Sequence, residues 1–146
     1  MVNKLVDGIV RAISAAFGDA YEIYTEPVTQ NLTPPCFLVE TVRPEYKHYF
    51  WRKYQEKVSF CIHYFPKGPD VTEECNAVFD RLTDCLEYIT VEERLIRGTG
   101  MKAEFPDGEA MHFLVDYEVF LQSVDETDKM GDYSLEMEVR GEKDFA

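Results

Sequence analysis

Between Asp70 and Gln122 the apolar residues change period once, and that change constrains the fold more than any other feature of the chain. From Asp70 to Tyr88 they recur at helical spacing: Val71, Cys75, Val78, Phe79, Leu82, Cys85 and Leu86. From Glu109 to Gln122 they recur every second residue: Met111, Phe113, Val115, Tyr117, Val119 and Leu121. A three- or four-residue period buries one stripe of a helix, and a two-residue period buries one face of a strand. The pair reads as a helix packed on a sheet around an ordinary interior. Whatever the protein does must then sit on its surfaces and edges.

The rest of the chain extends this pattern. Leu5, Val6, Ile9, Ile13 and Ala16 make an apolar stripe over residues 3–17, with Asn3 as N-cap and Gly18 as the stop. Ala20 to Thr25 alternates as a short strand, and Pro27 and Thr33-Pro34-Pro35 bracket a loop. Cys36 to Val42 is a second strand. Tyr54 to Phe65 is a third, with Val58, Phe60, Ile62 and Tyr64 on one face and Ser59, Cys61 and His63 on the other. Pro44 to Lys53 reads as the extended tip of a hairpin between them. Asp70 and Glu73 have the spacing of a capping box for the second helix. Leu95 to Glu104 and Glu109 to Gln122 form a second hairpin about Pro106-Asp107-Gly108.

The expected class is α+β: an antiparallel sheet with two helices on one face, in the order α-β-β-β-α-β-β. Residues 1–124 form one domain. Residues 125–146 form an acidic tail in which Tyr133, Leu135, Met137 and Val139 alternate with polar residues. That alternation suggests an extra C-terminal strand, mobile in the free subunit and paired only in an assembly.

At 146 residues the chain can bury a sizeable core without metal or disulfide. Its four cysteines, Cys36, Cys61, Cys75 and Cys85, form no C-x-x-C pair and sit in apolar runs, as free thiols do in a reducing compartment. The N-terminus reads as an amphipathic helix and not a signal peptide, and no segment approaches membrane-spanning length. A cytoplasm is the expected place of synthesis, with no membrane partner.

The formal net charge is −13, which opposes sequence-specific binding to duplex DNA. The charge is uneven. Residues 43–57 hold five cations (Arg43, Lys47, Arg52, Lys53, Lys57) against two acids, whereas residues 125–146 hold eight acids against three cations.

Candidate catalytic groups all have plainer explanations. Cys61 and His63 share a strand face, but side chains at i and i+2 stand about 7 Å apart, too far for a thiol–imidazole hydrogen bond. His48, His63 and His112 show no zinc spacing with the cysteines. His112, beside Asp116 and Glu118, reads as part of a solvated sheet face. Gly98-Thr99-Gly100 reads as a short loop without the Lys or helix start of a phosphate cradle. No catalytic residue, metal or cofactor is expected.

The anomaly is Tyr46 to Tyr54. It interleaves Tyr46, Tyr49, Phe50, Trp51 and Tyr54 with Lys47, His48, Arg52 and Lys53. Such a segment can stack single-stranded bases, dock a protein, or fill a core with half its rings. The overall acidity weighs against nucleic acid. A protein interface is the favoured reading, with Tyr46, Tyr49, Phe50, Trp51, Arg52 and Lys53 in it and Tyr133, Leu135, Met137 and Val139 as a second element.

Several stretches resemble the phage tail terminator family of tailed phages and prophages of Gram-positive bacteria. They are Tyr21-Glu-Ile-Tyr-Thr-Glu26, Pro35-Cys-Phe37, Phe60-Cys-Ile-His-Tyr-Phe-Pro66, Arg81-Leu82, Leu86-Glu-Tyr-Ile89 and Arg97-Gly98 with Met101. The resemblance runs from about Val2 to Gln122 and rests on structural residues. It implies a virion subunit that forms a ring, usually a hexamer. The ring caps the tail tube protein, stops tube growth and offers the head-tail connector a docking surface, while DNA passes through the lumen unread. Another neck component, a stopper or head-completion protein, is the nearest alternative. A small ligand-binding domain or enzyme is the alternative outside that class.

Overall fold

The computed structural model describes residues 1–27, 32–106, 110–123 and 133–135. It contains two helices, α1 (Val2–Phe17) and α2 (Val71–Leu86). Seven strands accompany them: β1 (Glu22–Tyr24), β2 (Cys36–Phe50), β3 (Lys53–Phe65), β4 (Tyr88–Val91), β5 (Arg94–Glu104), β6 (Met111–Ser123) and β7 (Tyr133–Leu135). The sheet runs β1-β2-β3-β6-β5-β4, with β7 added to β6. The α+β class and the order α-β-β-β-α-β-β hold, with β4 inserted after α2.

The sheet is mixed, not purely antiparallel as expected. Glu22, Ile23 and Tyr24 pair in parallel with Cys36, Phe37 and Leu38, while every other neighbouring pair is antiparallel. A tight turn would have reversed the chain between β1 and β2. The long connection instead carries it back to start β2 in the same direction.

Both helices cover one face of the sheet. Leu5, Ile9 and Ile13 of α1 and Cys75, Val78, Leu82 and Leu86 of α2 meet Phe37 and Val39 of β2 and Val58, Phe60, Ile62 and Tyr64 of β3. Met111, Phe113, Val115, Tyr117 and Val119 of β6 complete the core. The alternation read in the sequence is thus the burial pattern of the two central strands. Phe17, Phe37 and Tyr64 form an aromatic run at one end, with ring centroids 4.9 and 5.0 Å apart.

The ends of the helices differ from the expected caps. Met1, not Asn3, is the N-cap of α1; Gly18 ends it at φ 86°. Asp70 does cap α2 by position but makes no side-chain cap bond. The work expected of Asp70 and Glu73 is done by Glu74. Its carboxylate accepts from Tyr64 Oη (2.5 Å), the Lys67 N–H (2.9 Å) and the Gly68 N–H (2.9 Å), tying the β3–α2 loop to the helix.

Burial pushes the Glu74 carboxyl upward, but these three donors outweigh it and leave the group below its ordinary value. A carboxyl depressed in the folded state stabilises above its unfolded pKa of about 4.3, and the benefit is lost as pH falls through the folded value. Glu74→Gln is therefore expected to cost about 1 kcal/mol at neutral pH and to flatten the acid limb of the stability curve. Urea unfolding of both proteins at about pH 7 and about pH 3 checks this, since the two midpoints should converge in acid.

Candidate interaction surface

β2 becomes exposed after Val39 and continues with β3 as a paired arm. Pairing continues from Thr41–Phe60 to Phe50–Lys53, closed by a two-residue turn at Trp51-Arg52. The segment read as a hairpin tip is thus regular strand almost to its end. β6 follows β3 along the whole arm, from Tyr64–Met111 to Lys53–Gln122.

Two irregularities in β2 shape the arm. The register shifts between Thr41 and Arg43, where Val42 is the extra residue. A one-residue bulge exchanges the faces of everything beyond it. Phe37, Val39 and Thr41 therefore share a face with Pro44, Tyr46 and His48. On that face Tyr46 stacks on Tyr54 (centroids 5.3 Å, planes 12° apart), and His48 lies 4.8 Å from the same ring. The second shift, between His48 and Phe50, sets up the turn. Tyr49 lies edge-on to Phe120 of β6, at 5.6 Å.

Trp51 occupies the turn at φ 53°, a left-handed conformation that bulky residues seldom adopt. His48 Nε2 donates to the Trp51 carbonyl oxygen (2.5 Å) and holds the turn. The Arg52 guanidinium stands 4.8 Å from the Trp51 ring centroid. Phe50 and Trp51 are each 67% exposed. Tyr46 and Tyr49 are also exposed, so core filling accounts only for the half-buried Tyr54.

The structure joins the two sequence elements proposed for interaction. β5 pairs with β6 only as far as Tyr117, leaving the outer edge of the end of β6 to β7. Tyr133, Ser134 and Leu135 pair with Ser123, Gln122 and Leu121. Phe50, Lys53, Gln122 and Ser134 thus form one backbone row across four strands, next to the turn. The extra strand read at 133–139 is present over Tyr133–Leu135, paired with β6 of the same chain. The chain already held a free edge of the right length. Met137 and Val139 lie outside the described residues.

Removing residues 125–146 takes away this short ladder, which lies beside the core residue Leu121. The expected thermal shift is about 4 °C or less, measured by scanning calorimetry.

The other candidates lie on the sheet face away from the helices. Cys61 is 5% exposed, and His63 and His112 are half-buried. Burial, with Glu40 and Glu104 nearby, pushes the Cys61 thiol up to about 11, so it is no thiolate nucleophile at neutral pH. His63 Nε2 donates to Glu40 Oε1 at 2.6 Å. Sequence reading placed His112 on a solvated face; the structure sets it against the His63 ring, centroids 4.3 Å apart. Nothing in their spacing along the chain links residues 63 and 112. Gly98 to Gly100, read as a loop, belong to β5, with an irregularity between Thr99 and Lys102.

The comparison with family models gives the family. A model described as phage tail terminator protein matches residues 4–129, most of the chain. The chain belongs to the phage tail terminator family, a family of structural virion proteins. No curated protein matches it in sequence.

Proposed function

We propose that this subunit caps the phage tail tube as a ring of six, ends tube growth and presents the surface on which the head connector docks. Family membership over residues 4–129 carries the reading. The arm supplies a means. Its aromatic end is the kind of contiguous exposed apolar patch that marks a binding site, and the cations around it complement an acidic neighbour. Opposite charges across such a contact set encounter and register more than affinity, and they weaken with salt. The net charge of −13, repeated around a ring, repels DNA and lets it slide through the lumen unread.

On this reading the protein is not an enzyme, and the partners are other copies, the tube protein and the connector. It is made in the host cytoplasm and ends in the virion. The free subunit can be monomeric until the tube end provides a template. Purified protein mixed with cognate tubes lacking it should appear by negative-stain microscopy as a cap at one end. Tubes whose ends stay bare at saturating protein would reject the proposal.

A further inference from the structure

Four strands bring a donor set together on the sheet face that the helices leave uncovered. On β3, Cys61 and His63 are two residues apart and share that face. β6 places His112 directly across from His63 and Leu114 across from Cys61. β2 places Glu40 across from Cys61, and β5 places Glu104 across from His112. One row across the sheet is therefore Leu38, His63, His112, Glu104, and the next is Glu40, Cys61, Leu114, Lys102. The ligand atoms of Cys61, His63 and His112 all lie within 4.8 Å of one another.

We infer that Cys61, His63 and His112 form a site for one divalent cation of zinc type, bridging β3 and β6. Zinc holds sulfur at about 2.3 Å and imidazole nitrogen at about 2.0 Å in a tetrahedron, which sets ligand atoms about 3.5 Å apart. The three donors need approach by only about 1 Å, within reach of side-chain torsions. His63 Nε2 donates to Glu40 Oε1 at 2.6 Å, which leaves Nδ1 as the nitrogen to offer a cation. A ligating imidazole whose other nitrogen is held by a carboxylate is the usual outer support of zinc. One thiolate and two imidazoles select zinc over magnesium or calcium, which prefer oxygen. Glu104, at the end of the His63–His112 row, or water completes the tetrahedron.

Binding is balanced by one proton. The Cys61 S–H bond breaks, sulfur binds the cation, and the proton leaves to solvent. The site is independent of the tail-terminator reading and stands or falls without it.

The test uses the untagged full-length chain, reduced and stripped with chelator, titrated with zinc alone by calorimetry and with cobalt by absorbance. One zinc per chain is expected, with a thiolate-to-cobalt charge-transfer band. Cys61→Ser and His112→Asn should each weaken zinc binding at least tenfold, and Cys61→Ser should abolish the band. His48→Ala, the third histidine, should change neither. Circular dichroism shows which variants fold, and His112→Asn, on a half-buried residue, serves if Cys61→Ser does not. No band in the parent overturns the inference. So does zinc binding that survives His112→Asn unchanged, or binding that is lost in His48→Ala.

Discussion

Trp51→Gly is expected to leave the subunit folded and to weaken its binding to tube ends about 30-fold. Trp51 sits in the turn at φ 53°, a conformation that costs a non-glycine residue about 1–2 kcal/mol. Glycine takes it without strain but loses more freedom on folding, by about 0.5–1 kcal/mol. The turn's hydrogen bond from His48 ends on the Trp51 backbone oxygen, which glycine retains. Fold stability should therefore change by less than about 1 kcal/mol. The ring, by contrast, is 67% exposed at the end of the arm and available to a partner. Loss of a tryptophan hot spot costs about 2 kcal/mol or more, or about 30-fold in affinity. Phe50→Ala should behave alike, and Leu95→Ala, an exposed apolar residue on β5, should be silent. Binding to tube ends, titrated beside thermal melts, separates the two effects. Parent-like capping by both arm variants would remove the arm from the interface.

Gly98→Ala should be the most damaging single-methyl change in the sheet. A Cβ there would stand 2.7 Å from the Leu86 carbonyl oxygen, 3.0 Å from Val115 Cγ2 and 3.1 Å from Met101 Cε. The Met101 end can swing away, but the backbone oxygen cannot. Leu86 O lies at the C-terminus of α2, where it accepts from the buried Tyr117 hydroxyl at 2.6 Å. Next to it, the Gly98 N–H donates to Glu87 O at 2.7 Å. Two carbonyls at the end of α2, those of Leu86 and Glu87, are thus satisfied by β6 and β5, and any side chain at Gly98 pushes these partners apart. The expected cost is about 3 kcal/mol, the upper end of overpacking penalties. Denaturant unfolding measures it, and a midpoint equal to the parent's would contradict this packing.

Gly98 also marks what local pattern could and could not reveal. The helices and the central strands were legible because their burial is one-sided: Leu5, Ile9 and Ile13 repeat at helical spacing, and Met111 to Leu121 alternate. β4 was not, since Tyr88–Val91 is only four residues long and follows α2 without a break. Its apolar Ile89 falls on the continuing helical stripe, and Val91 alone is too little to mark a two-residue period. The direction of β1 depends on where a loop leads, which periodicity does not carry. The arm was visible as an aromatic and basic anomaly, but its straightness and the face exchange at Val42 come from pairing. Cross-strand partners are the deepest omission. His63 and His112 are adjacent only because β3 and β6 align them, so no spacing rule along the chain could join them to Cys61. β7 was read as a strand from the alternation of Tyr133 and Leu135, and its partner became visible only once β5 was seen to leave β6 early.

The proposal that this member of the tail terminator family ends tube growth and joins tail to head is tested most directly by tail length in a strain lacking the gene, measured by electron microscopy of lysates. Tails of uncontrolled length without attached heads are expected, restored by the parent gene and not by the Trp51→Gly gene. Tails of normal length joined to filled heads in the deletion strain would contradict it.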